Sequence, residues 1–397
     1  MISEKMKYLT ANGSAIRAMF EEGKKLADKY GRENVYDFSL GNPSTPPPES
    51  VRREAIRVLE ETDPTFLHGY MSNVGYEDVR TALADSLNRR FGTNYGPQHL
   101  VMTVGAAGAL NVALKAILNP GDEVILQAPF FGEYVNYLSN FDGVPVVVSP
   151  HYEDFSLNLA GIEEAINEKT KAIILNSPNN PTGAIYPDKD LKALADLLRA
   201  KQLAYGHAIY LISDEPYREI VFTEDAVPFL PDYYENTFVG YSYSKSLSLP
   251  GERIGYLLIH SEMEEIDSVI AACGVANRIL GFVNAPSLMQ RVIMSLKDET
   301  ADMSVYKRNK EVLCRELGSF GYEIVEPRGA FYMFPKTPTE DEMPFIEAAK
   351  EERILIVPGR TFACPGYFRL AFCVSEKTVD DSLEGFRKLA RRFGMGS

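Results

Sequence analysis

The stretch GYSYSKSLSLPGERIGYLL, residues 240–258, joins two apolar, β-prone segments through a polar loop. The loop places one lysine, Lys245, among several serines and adds an arginine, Arg253, eight residues later. A lysine in a serine-rich loop is most often solvated. At the end of a buried strand, however, such a loop can also hold an anion and a reactive amine. The neighbouring sequence distinguishes these alternatives.

Composition limits the possible partners of the chain. Its 397 residues carry 41 Lys and Arg against 55 Asp and Glu, a formal net charge of −14, which disfavours binding to nucleic acid or to an anionic membrane. The four cysteines lack CxxC spacing, so we predict free thiols of a reducing compartment and no metal site. With no secretory signal and no apolar run long enough to span a membrane, the sequence predicts a cytoplasmic protein.

β-branched runs alternate with amphipathic segments from about residue 100 to 260, ahead of the opening stretch and within it. Most of these runs are continuously apolar, which is typical of strands covered on both faces. The alternation predicts an α/β domain built on a seven-stranded, mostly parallel sheet. The short loop between the last two runs favours one antiparallel pairing. The seven runs are 100–104, 123–128, 144–149, 171–176, 208–213, 236–241 and 254–259.

The pattern changes near residue 285. A helical segment over 284–319, either continuous or broken, precedes four short strand-like runs and an amphipathic helix over about 377–393. The four runs are YEIVE, GAFYMF, RILIV and YFRLAF. We therefore predict a three-layer large domain over residues 46–284 and a smaller α+β domain over 285–397. Residues 1–45 would form an N-terminal arm that joins the smaller domain.

Residues that follow the predicted strands carry the chemistry, because ligands of open α/β sheets bind at the carboxyl ends of strands. GAAGAL can offer backbone N–H groups to an anion, and APFFGEY supplies aromatic rings. SPNNPTG fixes Asn179 and Asn180 in a rigid turn, and SDEPY places Asp214 and Tyr217 after a buried strand. Alone, each motif is compatible with packing, a tight turn or a helix cap. Combined with Lys245, they describe a pocket for pyridoxal phosphate.

The motifs NSPNNPTG, SDEPY, SYSKSLSLPGERIGY and FRLAF occur in this order. In this they resemble the fold-type-I, pyridoxal-phosphate-dependent class I/II aminotransferases, the aspartate-aminotransferase-like family. The resemblance extends from about residue 35 to the C-terminus. It implies an enzyme that moves the amino group of an L-amino acid to a 2-oxo acid through a Lys245 Schiff base and pyridoxamine phosphate. It also implies a homodimer with a shared active site.

The resemblance further implies a role for each matching residue. Lys245 would form the Schiff base and shuttle the proton, with Asp214 on the pyridine nitrogen and Tyr217 on the phenolic oxygen. The other cofactor-binding residues would be Asn180 on the same oxygen, Phe131 stacked on the ring, and Gly105, Ala106, Ala107, Ser242, Ser244, Arg253 and the neighbouring subunit's Tyr70 at the phosphate. Arg369 would clamp the substrate α-carboxylate, and Gly41 and Asn180 would line the substrate side.

Several alternatives stay open at this point. A β- or γ-lyase or a ring-forming enzyme would use the same cofactor and base, and a lyase would release ammonia or a thiol without an oxo-acid acceptor. A cofactor-sensing regulator would carry a DNA-binding segment before the fold, which the acidic charge and the roughly 35 preceding residues disfavour. Arg369 in a structural ion pair and Tyr70 in an ordinary turn are the alternatives for those residues. Ala107 stands where many aspartate-preferring members carry lysine, so the donor is not specified.

Overall fold

The computed structural model describes residues 1–11, 15–224 and 226–396. Its strands are β1 (Tyr36–Asp37), β2 (Leu100–Thr103), β3 (Glu123–Gln127), β4 (Val144–Val148), β5 (Thr170–Asn176), β6 (Tyr210–Asp214), β7 (Thr237–Ser242), β8 (Gly255–Ile259), β9 (Tyr332–Met333), β10 (Ile354–Leu355), β11 (Val357–Pro358) and β12 (Phe368–Ala371).

The α-helices are α1 (Glu4–Ala11), α2 (Ala15–Tyr30), α3 (Glu49–Glu61), α4 (Pro64–His68), α5 (Glu77–Phe91), α6 (Gly105–Ile117), α7 (Glu133–Ser139), α8 (Leu159–Ala165), α9 (Asp188–Tyr205), α10 (Tyr243–Ser246), α11 (Ile266–Ile279), α12 (Ser287–Leu296), α13 (Ser304–Ser319), α14 (Met343–Glu351) and α15 (Glu376–Arg392). Within the described residues, none of these helices combines the length and the apolar character that crossing a membrane requires.

Seven strands form the main sheet, in the order β2-β8-β7-β6-β5-β3-β4. β8 runs antiparallel to both β2 and β7, and every other neighbouring pair is parallel. The predicted seven-stranded, mostly parallel sheet is therefore confirmed, as is its antiparallel strand. β8 reverses direction because the loop between β7 and β8 holds only the short helix α10, too little chain for a parallel crossover.

Helices cover both faces of this sheet, and the alternation of side chains along each strand divides the core. Val124 and Leu126 of β3 pack into a cluster with residues of α6 and α11, whereas Ile125 packs on the opposite face with residues of α8 and α9. Covering on both faces explains why the central strands are apolar throughout. The same topology brings the carboxyl ends of β2, β3, β5, β6 and β7 to one edge of the sheet.

The C-terminal part of the chain builds smaller sheets. β11, β12 and β9 pair antiparallel, and β1 pairs with β10 in parallel. GAFYMF, RILIV and YFRLAF contain β9, β10 with β11, and β12, whereas YEIVE, residues 322–326, is not a strand. That segment pairs with no strand of the described residues; its buried Tyr322 donates a hydrogen bond to Phe386 O at 3.0 Å. The helical segment over 284–319 is broken into α12 and α13.

Candidate active site

A cavity of about 280 Å³ lies at the sheet edge where the strand ends meet. Most residues predicted from the motifs line this cavity, although they are distant in the sequence. They are Gly41, Ala106, Ala107, Phe131, Asn180, Asp214, Tyr217, Ser242, Ser244, Lys245, Arg253 and Arg369. Gly105 and Tyr70 are predicted site residues that do not line it.

Lys245 lies in α10, the helical turn that follows β7. Ser242 caps this turn, because its Oγ accepts a hydrogen bond from Ser244 N at 3.1 Å. The Lys245 side chain lines the cavity, and its Nζ donates to Gly41 O at 2.6 Å. Burial lowers the pKa of Lys245 to about 8, and nearby guanidinium groups act in the same direction. The site therefore holds an amine that loses its proton at lower pH than an ordinary lysine does, and the unprotonated form is the nucleophile.

Asp214 ends β6 and is buried. Its Oδ2 accepts a hydrogen bond from the Tyr134 hydroxyl at 2.6 Å, whereas its Oδ1 is buried without any hydrogen-bond partner among the described residues. Burial raises the pKa of Asp214 to about 7. A buried carboxylate oxygen without a donor is unfavourable. A protonated ring nitrogen supplies the missing donor, so this position fits the pyridine ring of pyridoxal phosphate.

Another part of the cavity lining suits an anion. The hydroxyl oxygens of Ser242 and Ser244 lie 2.7 Å apart, and Arg253 Nη1 lies 3.5 Å from Ser244 Oγ. Ala106 lies in the first turn of α6, where unpaired backbone N–H groups attract negative charge. Gly105 has a φ of +80°, and a Cβ on it would lie 2.8 Å from Arg253 Nη2. The absence of a side chain at Gly105 therefore leaves space for the Arg253 guanidinium. Gly105 itself does not line the cavity.

Arg369 projects from β12 and is buried. Its Nη1 donates to Asn180 Oδ1 at 3.1 Å and its Nη2 to Ser39 O at 2.5 Å, while its Nε has no hydrogen-bond partner in the part of the chain that the structure describes. Its guanidinium also lies over the rings of Tyr332 and Phe362, at 4.6 and 4.9 Å from their centroids. No carboxylate of the described residues pairs with Arg369. The side chain is thus a buried cation whose charge is left for a ligand.

The turn after β5 connects Asn180 to Asp214. Asn176 Oδ1 accepts from Asn180 N at 2.6 Å, and Asn176 Nδ2 donates to Asp214 O at 2.8 Å. One amide side chain therefore fixes the relative positions of two predicted cofactor contacts. Its own role is not predicted: Asn176 opens the motif NSPNNPTG, but it also ends a run that by itself indicates only a strand.

Tyr332 is another lining residue that the motifs do not indicate. Its hydroxyl lies 3.0 Å from that of Tyr217, and a Cβ on Gly41 would lie 1.8 Å from Tyr332 Oη. Position 41 therefore needs a glycine, because any side chain there would collide with Tyr332. Tyr332 belongs to the apolar run GAFYMF, which indicates only a buried strand. Other lining residues without a predicted role are Leu110, Tyr134, Tyr137, Pro216 and Pro250.

Tyr70 lies away from the cavity of its own chain. It is 94% exposed, in the loop that follows α4. Asn73 of the same loop donates to Val283 O at 2.8 Å, which ties the loop to the end of α11. Large apolar side chains on these elements are also exposed. They are Phe66, Val275, Ile279 and Val283.

Comparisons with known proteins agree with this geometry. The model of the family "Aminotransferase class I and II" matches residues 33–386. The chain is 31% identical over 371 residues to a probable aspartate/prephenate aminotransferase of Aquifex aeolicus, covering 90% of this chain and 91% of the relative.

Solved structures give the same result. An amino transferase from Eubacterium rectale has a TM-score of 0.96 and 42% identity, with 99% of both chains covered. An aspartate aminotransferase from Thermus thermophilus, solved with maleate, has a TM-score of 0.86 and 28% identity, with 98% of this chain and 99% of that chain covered. Members of the matching family use pyridoxal phosphate to move amino groups from amino acids to 2-oxo acids. The chain therefore belongs to the class I and II aminotransferases and is a pyridoxal-phosphate-dependent transferase of amino groups.

Proposed function

We propose that this aminotransferase carries out both half-reactions in the cavity around Lys245, with one set of side chains serving the L-amino acid and the 2-oxo acid in turn. One observation carries the proposal. Lys245, whose amine has a pKa of about 8, lines the same cavity as Asp214, one of whose buried carboxylate oxygens has no donor among the described residues. These are the two groups that an aldehyde on a pyridine ring requires.

Pyridoxal phosphate, when bound, supplies the aldehyde that receives the amino group and a ring that delocalises the charge left by loss of the Cα proton. Lys245 Nζ would attach that aldehyde and, when free, would take the proton from the substrate Cα and deliver it to the cofactor. Asp214 Oδ1 would accept a hydrogen bond from the ring nitrogen and keep that nitrogen protonated. Tyr217 and Asn180 would donate to the phenolic oxygen, and Phe131 would lie against the ring.

The two ionic ends of the cavity orient the ligands. Ser242, Ser244 and Arg253, together with the first turn of α6, hold the phosphate. Arg369 holds the α-carboxylate of the substrate, and Asn180 joins it from the neighbouring turn. With the phosphate and the α-carboxylate both held, the substrate Cα–H bond would lie near Lys245. The proton transfer would then take place within one complex and would not require a further encounter in solution.

The experiment that tests this function follows one half-reaction. Enzyme with bound cofactor is mixed with each of the twenty amino acids in turn, without an oxo acid, and its absorbance is recorded over a single turnover. We expect conversion to pyridoxamine phosphate with at least one amino acid, and recovery when a 2-oxo acid is added. Release of ammonia or a thiol in place of that conversion would instead establish the lyase alternative, which the names of the relatives do not favour.

The lowered pKa of Lys245 gives a prediction about pH. Only the unprotonated amine attacks an aldehyde, so the rate at which apo-enzyme attaches pyridoxal phosphate should rise with pH to a midpoint near 8. A free lysine side chain, such as that of an acetyl-lysine amide, should reach its midpoint only at about 10.4. Stopped-flow absorbance measures both rates. Coincident midpoints for enzyme and free lysine would refute the effect of burial.

We also propose that the enzyme is a homodimer whose subunits share each active site. Tyr70 is nearly fully exposed in the single chain, and the apolar side chains of Phe66, Val275, Ile279 and Val283 around its loop and α11 are exposed as well. Exposed apolar side chains on neighbouring elements are typical of a surface that another protein covers. In such a dimer Tyr70 would reach the phosphate bound by the partner.

Mixed dimers test this sharing. Lys245→Ala and Tyr70→Ala chains, each carrying a different tag, are combined and the hybrid is purified. Tyr70→Ala alone should lower cofactor affinity by about tenfold, the cost of one hydrogen bond to a charged group. The hybrid should regain normal affinity and turnover at one site, where an intact Lys245 meets the Tyr70 of the other chain. If Tyr70 acts within its own chain, the hybrid will be no better than Tyr70→Ala.

We also propose that the chain divides into an N-terminal arm, a large domain and a smaller domain at residues 45 and 285, and that the enzyme is cytoplasmic. Met19 and Phe38 share one apolar cluster with Phe345, Phe368 and Phe386, which supports an N-terminal arm joined to the smaller domain. The four cysteines are unpaired thiols, in keeping with a reducing compartment.

A further inference from the structure

Tyr134 is a buried tyrosine of the cavity to which neither the motifs nor the proposed reaction gives a role. It lies in the first turn of α7, and its ring meets the ring of Phe131 edge to face, with centroids 5.7 Å apart. Its hydroxyl is 2.6 Å from Asp214 Oδ2. Burial raises the pKa of Tyr134 well above its usual value, and the adjacent carboxylate adds to this shift. The phenol therefore remains protonated and is the donor in this hydrogen bond.

This hydrogen bond makes the two oxygens of Asp214 inequivalent. Oδ2 is held by Tyr134, and Oδ1 is left as the buried oxygen without a partner. Rotation about the last side-chain bond of an aspartate would exchange the two oxygens, and this bond has a soft torsion. A short hydrogen bond to one oxygen opposes that rotation. The phenol also stabilises the ionised carboxylate, since burial alone favours the protonated form.

We propose that Tyr134 is a positioning residue, whose phenol holds Asp214 Oδ2 so that an ionised Oδ1 faces the ring nitrogen of the cofactor. The inference rests on the proposed placement of that nitrogen against Asp214. Tyr134 touches neither the substrate nor the reacting atoms in this account, and it acts only through the carboxylate. A tyrosine that merely fills space beside Phe131 would support every part of the cofactor equally. If Tyr134 positions Asp214, its effect on cofactor binding depends on the ring nitrogen. If Tyr134 only fills space, its effect is the same with and without that nitrogen.

The test compares two ligands on two proteins. Tyr134→Phe removes one oxygen atom and keeps the ring, and its far-UV circular dichroism establishes that it folds. Dissociation constants of the apo-enzymes are measured by equilibrium dialysis for pyridoxal phosphate and for its 1-deaza analogue, which has C–H in place of the ring nitrogen. We expect Tyr134→Phe to bind pyridoxal phosphate about tenfold more weakly, while its affinity for the deaza analogue changes by less than about twofold.

Tyr137→Phe serves as the matched control, because Tyr137 also lines the cavity but makes no hydrogen bond to Asp214 in the described structure. It should keep the wild-type ratio of the two dissociation constants. Equal weakening of both ligands in Tyr134→Phe, or an unchanged ratio, would overturn the positioning role and leave the proposed function intact. A wild-type enzyme that binds both ligands equally would instead overturn the placement of the ring nitrogen, and the inference with it.

Discussion

Lys245→Ala should lower kcat for transamination by about 10⁴-fold or more, because one amine attaches the cofactor and also moves the Cα proton. No other lysine lines the cavity among the described residues, so none is placed to replace it. The phosphate and carboxylate contacts of Arg253 and Arg369 remain in the variant. We therefore expect the variant to retain substrate binding while it loses chemistry, so that kcat falls far more than KM changes.

Steady-state kinetics with a coupled 2-oxo acid assay measures this loss. Lys245→Arg is the matched control, since it keeps a positive charge but offers an amine neither to an aldehyde nor to a proton transfer near neutral pH. It should be as inactive as the alanine variant. Activity within about tenfold of the wild type in either variant would exclude Lys245 as the acid–base group, because a general base contributes far more.

Asp214→Asn should have the second largest effect on activity. An amide cannot compensate the charge of a protonated ring nitrogen, and leaving one member of a buried ion pair unmatched costs roughly 3–5 kcal/mol. That free energy corresponds to roughly 10²- to 10⁴-fold in rate. The same loss should appear as weaker binding of pyridoxal phosphate, with little change in binding of the deaza analogue.

The same substitution should stabilise the apo-enzyme. The pKa of Asp214 is about 7 in the folded state, above the ordinary value of 3.8. Between these pH values the folded state keeps a proton that the unfolded state has released, so the free energy of unfolding falls as pH rises through this window. Above pH 7 the buried, ionised carboxylate lowers the free energy of unfolding by its full amount, roughly 4 kcal/mol. Apo Asp214→Asn should therefore melt at a higher temperature than the apo wild type at pH 8.

Two comparisons make the stability prediction specific. The difference in melting temperature should vanish near pH 4, where Asp214 is protonated in the folded wild type. Asp85→Asn, at an exposed position of α5, should leave the melting temperature unchanged at both pH values. An Asp214→Asn variant that is less stable than the wild type at pH 8 would contradict the account of a buried, poorly compensated carboxylate.

The main sheet could be predicted because each of its strands shows its burial in its own short stretch of sequence. Strands covered by helices on both faces must be apolar throughout, and runs such as that of β5 show this directly in the sequence. The antiparallel β8 was predictable for a similar reason, since its connection is too short for a crossover. The prediction of a strand at YEIVE, 322–326, is wrong: the run is apolar enough for a strand, yet no strand among the described residues pairs with it.

The site was predictable where side chains follow strands of the parallel sheet, as for Asp214 and Lys245. Tyr332 and Tyr134 escaped prediction because aromatic residues in apolar surroundings usually only fill the core. Their hydroxyls become significant through contacts with Tyr217 and Asp214, distant in the sequence by 115 and 80 residues. Motif order cannot reveal such contacts. Tyr332 meets Tyr217 where a small sheet packs against the main one, whereas Tyr134 meets Asp214 across the ends of β3 and β6 in the main sheet.

The central claim is that Lys245 carries the cofactor as an imine, and chemical trapping tests it most directly. The holoenzyme is reduced with sodium borohydride, digested and analysed by mass spectrometry. The account predicts that the phosphopyridoxyl group is found on the peptide that contains Lys245 and on no other. A modified lysine elsewhere in the chain, or a cofactor that is lost on unfolding after reduction, would contradict it.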